Sequence, residues 1–506
     1  MADTRRIAKN TLLLYFRQIL IMLMSLYMVR VVLDVLGAED YGIYNVIAGV
    51  VTMFGFLSGA MATASQRYFS FDIGKGDVEH LKKTFAVTFQ IYVLLALVIV
   101  LVAESLGLWF VNTKLVIPEA RLTAANWIFQ AAIVSFLLTL ITTPYMASII
   151  AHENMNVYAY VSIIEVALKL GIVFLLRALP YDKLILYGLL LAAVALINTS
   201  IYRFYCRLHY AECKVLFVRD DALFREIISY SGWNLFGAAV GVVKNQVINI
   251  FLNLHFGAIV NAARGIASQV NSAVVNFGQN FSTALRPQII KTYAAERKDE
   301  TMNLVFRGCK FTFYLMYLFA LPLCLEMKTI LSLWLKNPPE YSVCFTQLAL
   351  IDAVIDSISY PLMTLAQATG KIKLYQGLVG GILLCNLPVS YIALQFGVSA
   401  YAVMIVAICI TVIAFFVRLT IVKNLADLSI RKFIKHSVLP CIFVAVCSAV
   451  LPFIAHIKMF ESVLSSFVVV MISILNTSFF VLFTGMNKLE RNIVFATVKT
   501  RIGNRK

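Results

Sequence analysis

Fourteen apolar runs, each long enough to cross a bilayer as a helix, follow one another along the 506-residue chain. A bilayer core about 30 Å thick needs about 20 apolar residues in helical form, because lipid offers backbone polar groups no other partner. With 61% hydrophobic and 14% charged residues, the composition excludes a water-soluble domain, which has about 25% charged residues. We therefore predict an all-α polytopic membrane protein with helices near 9–36, 41–70, 83–112, 122–151, 155–177, 184–206, 222–254, 258–288, 304–336, 341–369, 373–395, 398–422, 434–456 and 462–485.

The distribution of positive residues predicts the orientation of these helices. The joints that follow odd-numbered helices hold seven Lys and Arg residues, whereas the joints that follow even-numbered helices and the two chain ends hold 31. Positive residues concentrate on the cytoplasmic side of membrane proteins. Both termini are therefore expected in the cytoplasm, with the first helix retained because no small-residue cleavage site precedes or follows it. The net charge of +17 is explained by topology, so no nucleic-acid partner is expected.

The sequence lacks the common motifs for nucleotide binding, zinc binding and cysteine redox chemistry. It contains no Gly-x-x-x-x-Gly-Lys-Ser/Thr loop for nucleotide phosphates and no His-Glu-x-x-His zinc motif. The nine cysteines show no Cys-x-x-Cys spacing and are interpreted as small core residues. An enzyme that polymerises or ligates lipid-linked sugars would need a long external loop, and none is predicted. We therefore expect no cofactor, no metal and no enzymatic activity.

Helices 1–6 and 7–12 look like two copies of one unit. Leu36-Gly37-Ala38 matches Phe256-Gly257-Ala258 at an offset of 220 residues, and Pro144-x-Met146 matches Pro361-x-Met363 at an offset of 217. An even number of helices in each copy gives both the same orientation, so we expect a parallel pseudo-twofold repeat with the substrate between the halves. The predicted parts are a six-helix bundle at 1–206, a cytoplasmic linker at 207–221, a second six-helix bundle at 222–422, two additional helices at 434–485 and a basic cytoplasmic tail at 486–506.

Polar residues occupy one face of predicted helix 8 along its whole length. They are spaced by three or four residues, which places them on one side of an α-helix. The set is Asn261, Arg264, Ser268, Ser272, Asn276, Gln279, Thr283 and Arg286. Such a stripe on a membrane helix predicts a water-filled groove, and the alternative is a polar seam held by hydrogen bonds between helices.

Cations on other helices extend this pattern. Arg17 lies in helix 1 and Lys244 in helix 7, both well inside apolar runs, where charges normally face a cavity or a partner. Guanidinium groups suit phosphate oxygens, and the carboxamides of Asn and Gln suit sugar hydroxyls. The predicted substrate-binding residues are Arg17, Gln18, Lys244, Asn245, Asn249, Arg264, Asn276 and Gln279.

Two pairs of charged residues stand at helical i, i+4 spacing inside the membrane. Asp352 and Asp356 share a face of helix 10, and both cannot stay charged and unpaired there. Either one holds a proton, or a cation sits between them, or Lys244 or Arg264 reaches them, so coupling to H⁺ or Na⁺ and a counter-ion role are both open. On helix 5, Glu165 and Lys169 are expected to form a structural ion pair.

The repeated bundles, the two extra C-terminal helices and a basic first helix give the chain a family resemblance. The first helix contains Arg5-Arg6-Ile7-Ala8-Lys9-Asn10-Thr11 and Phe16-Arg17-Gln18. In these features the chain resembles the polysaccharide-transport branch, which includes O-antigen flippases, of the multidrug/oligosaccharidyl-lipid/polysaccharide (MOP) exporter superfamily. The resemblance implies arginines of helices 1 and 8 in a cationic cavity, which are carried over to Arg17 and Arg264 only.

The resemblance also implies a function. Similar proteins flip undecaprenyl-pyrophosphate-linked sugar units across the bacterial inner membrane, so we expect a monomeric flippase that works by alternating access for O-antigen, capsule or exopolysaccharide synthesis. Its expected partners are this lipid-linked substrate and the polymerase and chain-length proteins of the same pathway. The alternative is an ion-coupled multidrug exporter of the same superfamily, whose cationic substrates a cavity lined by Arg and Lys would repel.

Overall fold

The computed structural model describes residues 4–52, 54–115, 117–214, 217–335, 337–459, 462–488 and 490–492. The described residues form fourteen helical segments and no strand, which confirms the predicted fold class. Eleven segments are long and apolar enough to cross a membrane, and α1, α2 and α8 are the other three. The segments are α1 (4–36), α2 (38–52 and Gly55–Lys75), α3 (Val78–Thr113), α4 (Glu119–Ala151), α5 (Met155–Ala178), α6 (Lys183–His209), α7 (Asp221–Phe256), α8 (Ala258–Ala294), α9 (Lys298–Leu335), α10 (Ser342–Ala368), α11 (Ile372–Gln395), α12 (Ala402–Ala426), α13 (Ile430–Lys458) and α14 (Val463–Gly485).

Several of these segments are interrupted by short irregular turns. The helical stretch Thr4–Thr52 bends at Gly37 and so contains both α1 and the first part of α2, which resumes at Gly55–Lys75. In α10 the break lies between Ser342–Ser357 and Tyr360–Ala368, with Pro361 near the start of the second part, where its missing N–H has no helical partner to lose.

Left-handed backbone conformations fall at matching places in the two predicted copies. A positive φ angle is costly for most residues, so its position marks where the chain must turn. The matched pairs are Gly37 (φ 79°) with Gly257 (φ 79°), Gly76 (φ 74°) with Glu296 (φ 59°), and Glu153 (φ 62°) with Gly370 (φ 76°). These pairs keep the offsets of 220, 220 and 217 residues that the sequence motifs show.

Helix packing inside each copy follows the same plan. In the first copy α2 packs on α3 and α4, α4 packs on α3 and α6, and α5 packs on α6. In the second copy α8 packs on α9 and α10, α10 packs on α9 and α12, and α11 packs on α12. The predicted internal duplication is therefore confirmed by the turns and by the packing within each copy.

The chain forms two compact units whose division lies inside α7. The N-terminal unit is Lys9–Leu235, and the C-terminal unit begins at Phe236 and includes residues 4–8. The start of α7 groups with the N-terminal unit because Tyr68 Oη donates a hydrogen bond to Glu226 Oε1 at 3.1 Å and its ring meets that of Tyr230 edge-on. The division therefore comes later in the chain than the predicted linker at 207–221.

Helices α13 and α14 lie outside the repeat and pack on α9 of the C-terminal unit. Lys310 Nζ lies 2.7 Å from Glu490 Oε2 near one end of α9, and His456 Nδ1 lies 2.8 Å from Glu326 Oε1 near the other. Between them Tyr317 Oη donates to the carbonyl oxygen of Ala445 at 2.7 Å. Both ends of the added helix pair are thus attached to α9. Of the predicted basic tail at 486–506, residues 489 and 493–506 lie outside the described residues.

Candidate functional site

A polar cavity of about 580 Å³ lies within the C-terminal unit. Its volume is typical of small-molecule sites, which span about 300–1,000 Å³. Residues of α7, α8, α10, α11 and α12 line it, and most of them are polar. The polar lining residues are Lys244, Asn245, Gln246, Asn249, Asn261, Arg264, Ser268, Asn271, Asp352 and Asn386.

The spacing of the polar residues on α7 and α8 produces this wall. Asn261, Arg264 and Ser268 follow one another at steps of three and four residues, and Asn271 continues the series three residues later. Such steps return to the same helix face. The half of the predicted stripe nearest the start of α8 therefore lines a cavity. Ser272, which was predicted to continue the stripe, is exposed and outside the lining.

The hydrogen bonding of this wall does not support a polar seam. Among the side chains that the structure describes, Asn261, Arg264 and Ser268 make no hydrogen bond to another helix. Buried polar atoms that lack a partner among the described residues, each costing about 1–3 kcal/mol, occur on five lining residues: Asn261 Oδ1, Arg264 Nη1, Asn271 Oδ1, Asp352 Oδ1 and Asn386 Nδ2. A wall with this many unpaired groups is typical of a binding site.

The charges of the cavity lining sum to one positive charge. Lys244 and Arg264 supply two cations, and within the described part of the chain neither is in an ion pair with a carboxylate at 4 Å or less. Asp352 supplies the single acid, and it lies near enough to Lys244 for the two charges to interact. Of the arrangements that the sequence left open for this acid, an approach of Lys244 remains compatible with the structure.

The second acid of α10 has a different partner. Asp356 Oδ1 accepts a hydrogen bond from Arg418 Nη1 of α12 at 2.5 Å, and Arg418 is only 9% exposed. Sequence reasoning counted Arg418 among the 31 cations at the cytoplasmic helix ends and joints, since helix 12 was predicted to end at 422, whereas α12 continues to Ala426. The signal that could have found this pair was the presence of two acids on helix 10 without a nearby cation.

Two of the predicted residues on α8 do not line the cavity. Asn276 and Gln279 are exposed and lie beyond Asn271 along the helix. Three polar lining residues were absent from the prediction: Gln246, Asn271 and Asn386. The helical period allows either Asn271 or Ser272 after Ser268, so the sequence alone did not decide between these neighbours.

Arg17 and Gln18 belong to the N-terminal unit. Arg17 is 8% exposed, its Nη1 donates to Ser162 Oγ at 3.3 Å, and its guanidinium carbon lies 4.5 Å from the centre of the Tyr158 ring. Gln18 is half-buried. All the residues that line the described cavity belong to the C-terminal unit.

The expected ion pair on α5 is confirmed. Lys169 Nζ lies 2.6 Å from Glu165 Oε1, and Asn198 Nδ2 donates to Glu165 Oε2 at 3.2 Å. The Glu165 carboxylate is therefore neutralised and hydrogen-bonded inside its own unit, which fits a structural role.

A comparison with known families identifies the chain. A family model described as "Polysaccharide biosynthesis protein" matches residues 7–292, more than half of the sequence. The chain belongs to the polysaccharide biosynthesis protein family. This family is part of the MOP superfamily, and the chain is a multi-pass membrane transporter of that superfamily. No curated protein matches it in sequence.

Solved structures of other MOP transporters share the fold. A MATE protein in complex with MaD3S has a TM-score of 0.72 at 11% identity, over 84% of this chain and 97% of its own. An outward-facing multidrug resistance MATE family transporter of the MOP superfamily has a TM-score of 0.71 at 11% identity, over 83% and 95%. A MOP superfamily transporter from Pyrococcus furiosus, described as having a binding pocket of reverse polarity that suggests a different function, has a TM-score of 0.68 at 11% identity, over 82% and 96%. At such identities these likenesses establish the fold alone.

The family match covers part of the candidate site of this polysaccharide biosynthesis protein. The matched region ends at residue 292, near the end of α8, so it includes Arg17, Lys244 and Arg264. It does not include Asp352 or Arg418. The polar wall of α7 and α8 thus lies inside the region that defines the family, and the acidic part of the site lies outside it.

Proposed function

We propose that this MOP transporter flips polyprenyl-pyrophosphate-linked oligosaccharide units across the bacterial inner membrane by alternating access, for O-antigen, capsule or exopolysaccharide synthesis. The observation that supports this proposal is the cavity of the C-terminal unit, where Lys244 and Arg264 stand among carboxamide side chains. Cations attract the negatively charged headgroup of such a lipid, and carboxamides hydrogen-bond to sugar hydroxyls. Arg17 of the N-terminal unit is proposed as a further contact to the headgroup.

The alternative function is ion-coupled multidrug export. The description of the Pyrococcus furiosus transporter, with its pocket of reverse polarity, supports the idea that this fold accommodates pockets of different charge. Among the described lining residues Asp352 alone would attract a cationic drug, and Lys244 and Arg264 line the same cavity. The excess of positive charge favours a negatively charged substrate.

We place the coupling of transport to an ion at Asp352. Both Asp352 and Asp356 were candidates for binding H⁺ or Na⁺, but the Arg418 guanidinium already neutralises Asp356. Asp352 lines the cavity, where substrate and ion can compete or cooperate through Lys244. In this proposal Asp356 holds α10 in position through its contact with Arg418 and does not bind the ion itself.

The proposed orientation places both termini in the cytoplasm. It rests on the 31 cations at the chain ends and at the joints after even-numbered helices, against seven at the other joints. The proposed partners are the lipid-linked oligosaccharide and the polymerase and chain-length proteins that use it on the far side of the membrane, and the transporter is proposed to act as a monomer.

The test uses Arg264→Ala and Arg17→Ala in cells that depend on this transporter. We expect normal amounts of membrane-inserted protein, loss of surface polysaccharide and accumulation of lipid-linked units on the inner leaflet. Arg264→Lys keeps the charge but loses the forked donor, so partial export is expected. Ser272→Ala, on the same helix but outside the cavity, should export normally. Normal export by both alanine variants would refute the assigned roles, and export of cationic dyes in place of polysaccharide would favour the alternative.

A further inference from the structure

The composition of the cavity wall points to one part of the proposed substrate. We infer that the cavity of the C-terminal unit is a glycan subsite, which holds hydroxyl- and amide-bearing sugar units, and that the diphosphate of the lipid lies outside it. This inference rests on the proposed function, because it divides the proposed substrate between two places. It changes the role of Arg264 from a phosphate ligand to a hydrogen-bond donor for sugar oxygens.

The hydrogen-bonding groups of the wall match sugars better than phosphates. A sugar hydroxyl both donates and accepts hydrogen bonds, whereas an ionised diphosphate only accepts. The unpaired buried atoms of the wall include the donors Arg264 Nη1 and Asn386 Nδ2 and the acceptors Asn261 Oδ1 and Asn271 Oδ1. Each carboxamide of the wall carries both an N–H donor and a carbonyl acceptor, and Asp352 Oδ1 adds an unpaired buried oxygen that accepts only. A diphosphate would leave the acceptors unpaired.

The charges of the wall lead to the same conclusion. Lys244, Arg264 and the carboxylate of Asp352 line the same cavity, so only one net positive charge is available among the described lining residues. A diphosphate carries more than one negative charge, and burying the excess beside Asp352 would cost free energy. To a neutral sugar the same carboxylate offers charge-assisted hydrogen bonds from hydroxyl groups. Mixed charges on a carboxamide-rich wall therefore favour a glycan.

The wall also leaves space where a ring can lie. Gly265 lines the cavity, and no atom stands within 4 Å of the place that a side-chain Cβ would take there. Ala267 and Ala349 add small side chains to the same lining. A larger residue at 265 would therefore extend from the cavity wall into open space without removing any polar group.

The experiment measures binding of two probes to the purified full-length protein in lipid nanodiscs. One probe is undecaprenyl pyrophosphate without sugar. The other is the lipid-linked oligosaccharide pool extracted from source cells that lack this transporter gene. Gly265→Leu places a larger side chain at the cavity wall, Asn271→Leu removes a carboxamide, and Ser272→Leu is the matched control because its side chain lies next in sequence but outside the lining.

We expect Asn271→Leu to weaken binding of the sugar-bearing probe by roughly tenfold, as for loss of one or two hydrogen bonds. Gly265→Leu should weaken it by roughly as much, because its side chain occupies space that a sugar ring would use. Binding of the sugar-free probe should stay within about twofold of wild type, and Ser272→Leu should bind both probes normally. Equal weakening of both probes would show that the cavity holds the diphosphate and would overturn the inference. Unchanged binding of both probes would overturn it as well.

A separate measurement distinguishes this inference from the proposed function. Flipping of the sugar-bearing probe is followed in sealed vesicles that contain the wild-type protein. If the selective loss of binding is observed but the wild type moves no probe across the membrane, the proposed function fails while the glycan subsite stands. If the wild type flips the probe and the variants bind both probes alike, the subsite fails while the proposed function stands.

Discussion

The two six-helix copies share their turns and helix packing but carry different residues at corresponding positions. Arg264 and Asn271 line the cavity of the C-terminal unit, and the residues 220 positions earlier are Tyr44 and Val51. Tyr44 packs edge-on against Tyr187, and Val51 is buried in an apolar cluster. The same backbone plan thus supports a polar cavity in one unit and an apolar core in the other. The duplicated architecture therefore depends on turns and apolar packing, while the binding chemistry is free to differ.

A second pair of positions differs in the opposite direction. Arg17 contacts Ser162 of α5 in the N-terminal unit, and the residue 220 positions later is Gly237. A side-chain Cβ at Gly237 would clash with Gln376 Oε1 on α11. The first helix of each unit therefore meets the fifth at this point, once through a guanidinium and once through close approach. The N-terminal and C-terminal units therefore carry polar residues at different positions of the shared helix arrangement.

The largest expected effect concerns an ion pair that belongs to the C-terminal unit. The residues that correspond to Asp356 and Arg418 are Thr139 and Ile201 in the N-terminal unit. Removal of one member of a fully buried pair costs about 3–5 kcal/mol. Because the Asp356 side chain is 34% exposed, we expect Arg418→Ala to lower the free energy of unfolding by only about 2–3 kcal/mol, measured by reversible unfolding in mixed micelles.

The double variant Arg418→Met with Asp356→Leu provides the control for this prediction. It replaces both charges by apolar side chains and should recover most of the lost stability, because no charge is left without a partner. If the double variant is as unstable as Arg418→Ala, the pair is not the reason for the loss, and the difference between the units at this position has another origin.

The next prediction tests what the units have in common. Gly37 and Gly257 combine φ 79° with ψ angles of 167° and −169°, a region that side chains disfavour strongly. We expect Gly37→Val and Gly257→Val each to destabilise the protein by about 1–3 kcal/mol. Gly42→Ala, in a helix with open space around the site, should be neutral or stabilising by up to about 1 kcal/mol. A loss in only one unit would contradict equal structural roles of the two turns.

Sequence reasoning was most successful where a physical requirement acts on the chain locally. The length of apolar runs set the fourteen helices to within a few residues, and Gly37 and Gly257 marked the turns that the duplication shares. The side of α8 that is polar also followed from its period. The period did not show which part of that side borders a cavity, because this depends on the neighbouring helices. The partner of Asp356 was missed for the same reason, since Arg418 lies on α12, 62 residues away in the sequence.

One substitution can make the polar cavity of the C-terminal unit resemble the apolar core of the N-terminal unit. Asn271→Val introduces the residue found at the corresponding position 51 and removes a buried oxygen that has no hydrogen-bond partner among the described residues. We expect the free energy of unfolding to rise by about 1 kcal/mol, while transport in sealed vesicles falls severalfold. The reverse change, Val51→Asn, should destabilise by about 2 kcal/mol because it buries an unpaired carboxamide. If Asn271→Val lowers stability instead, its carboxamide is part of the structure and not of a binding wall.

The smallest expected effect concerns an acid-sensitive contact in the N-terminal unit. Glu212 lies between α6 and α7, and its Oε1 accepts a hydrogen bond from Ser148 Oγ and lies 2.8 Å from His152 Nε2. At the corresponding ends of the C-terminal unit stand Leu365 and Thr369 in place of these two residues. Burial alone would raise the pKa of Glu212, but its bonds with His152 and Ser148 outweigh burial and hold the pKa below its usual value of 4.5. The ionised Glu212 carboxylate thus holds the segment after α6 to the end of α4.

A carboxyl group whose pKa is lowered by folding stabilises the protein above its unfolded-state pKa and loses that contribution as the pH falls through its folded-state pKa. We therefore expect Glu212→Gln to be less stable than wild type by about 1 kcal/mol at neutral pH, with the difference shrinking as the pH is lowered from 5 toward 3. Unfolding midpoints of the two proteins across this range provide the measurement, and Glu39→Gln, a change at an exposed position of α2, serves as the control. A difference that stays constant down to pH 3 would mean that the Glu212 carboxylate is not the source of the stability, and that acid sensitivity does not distinguish the two units at this joint.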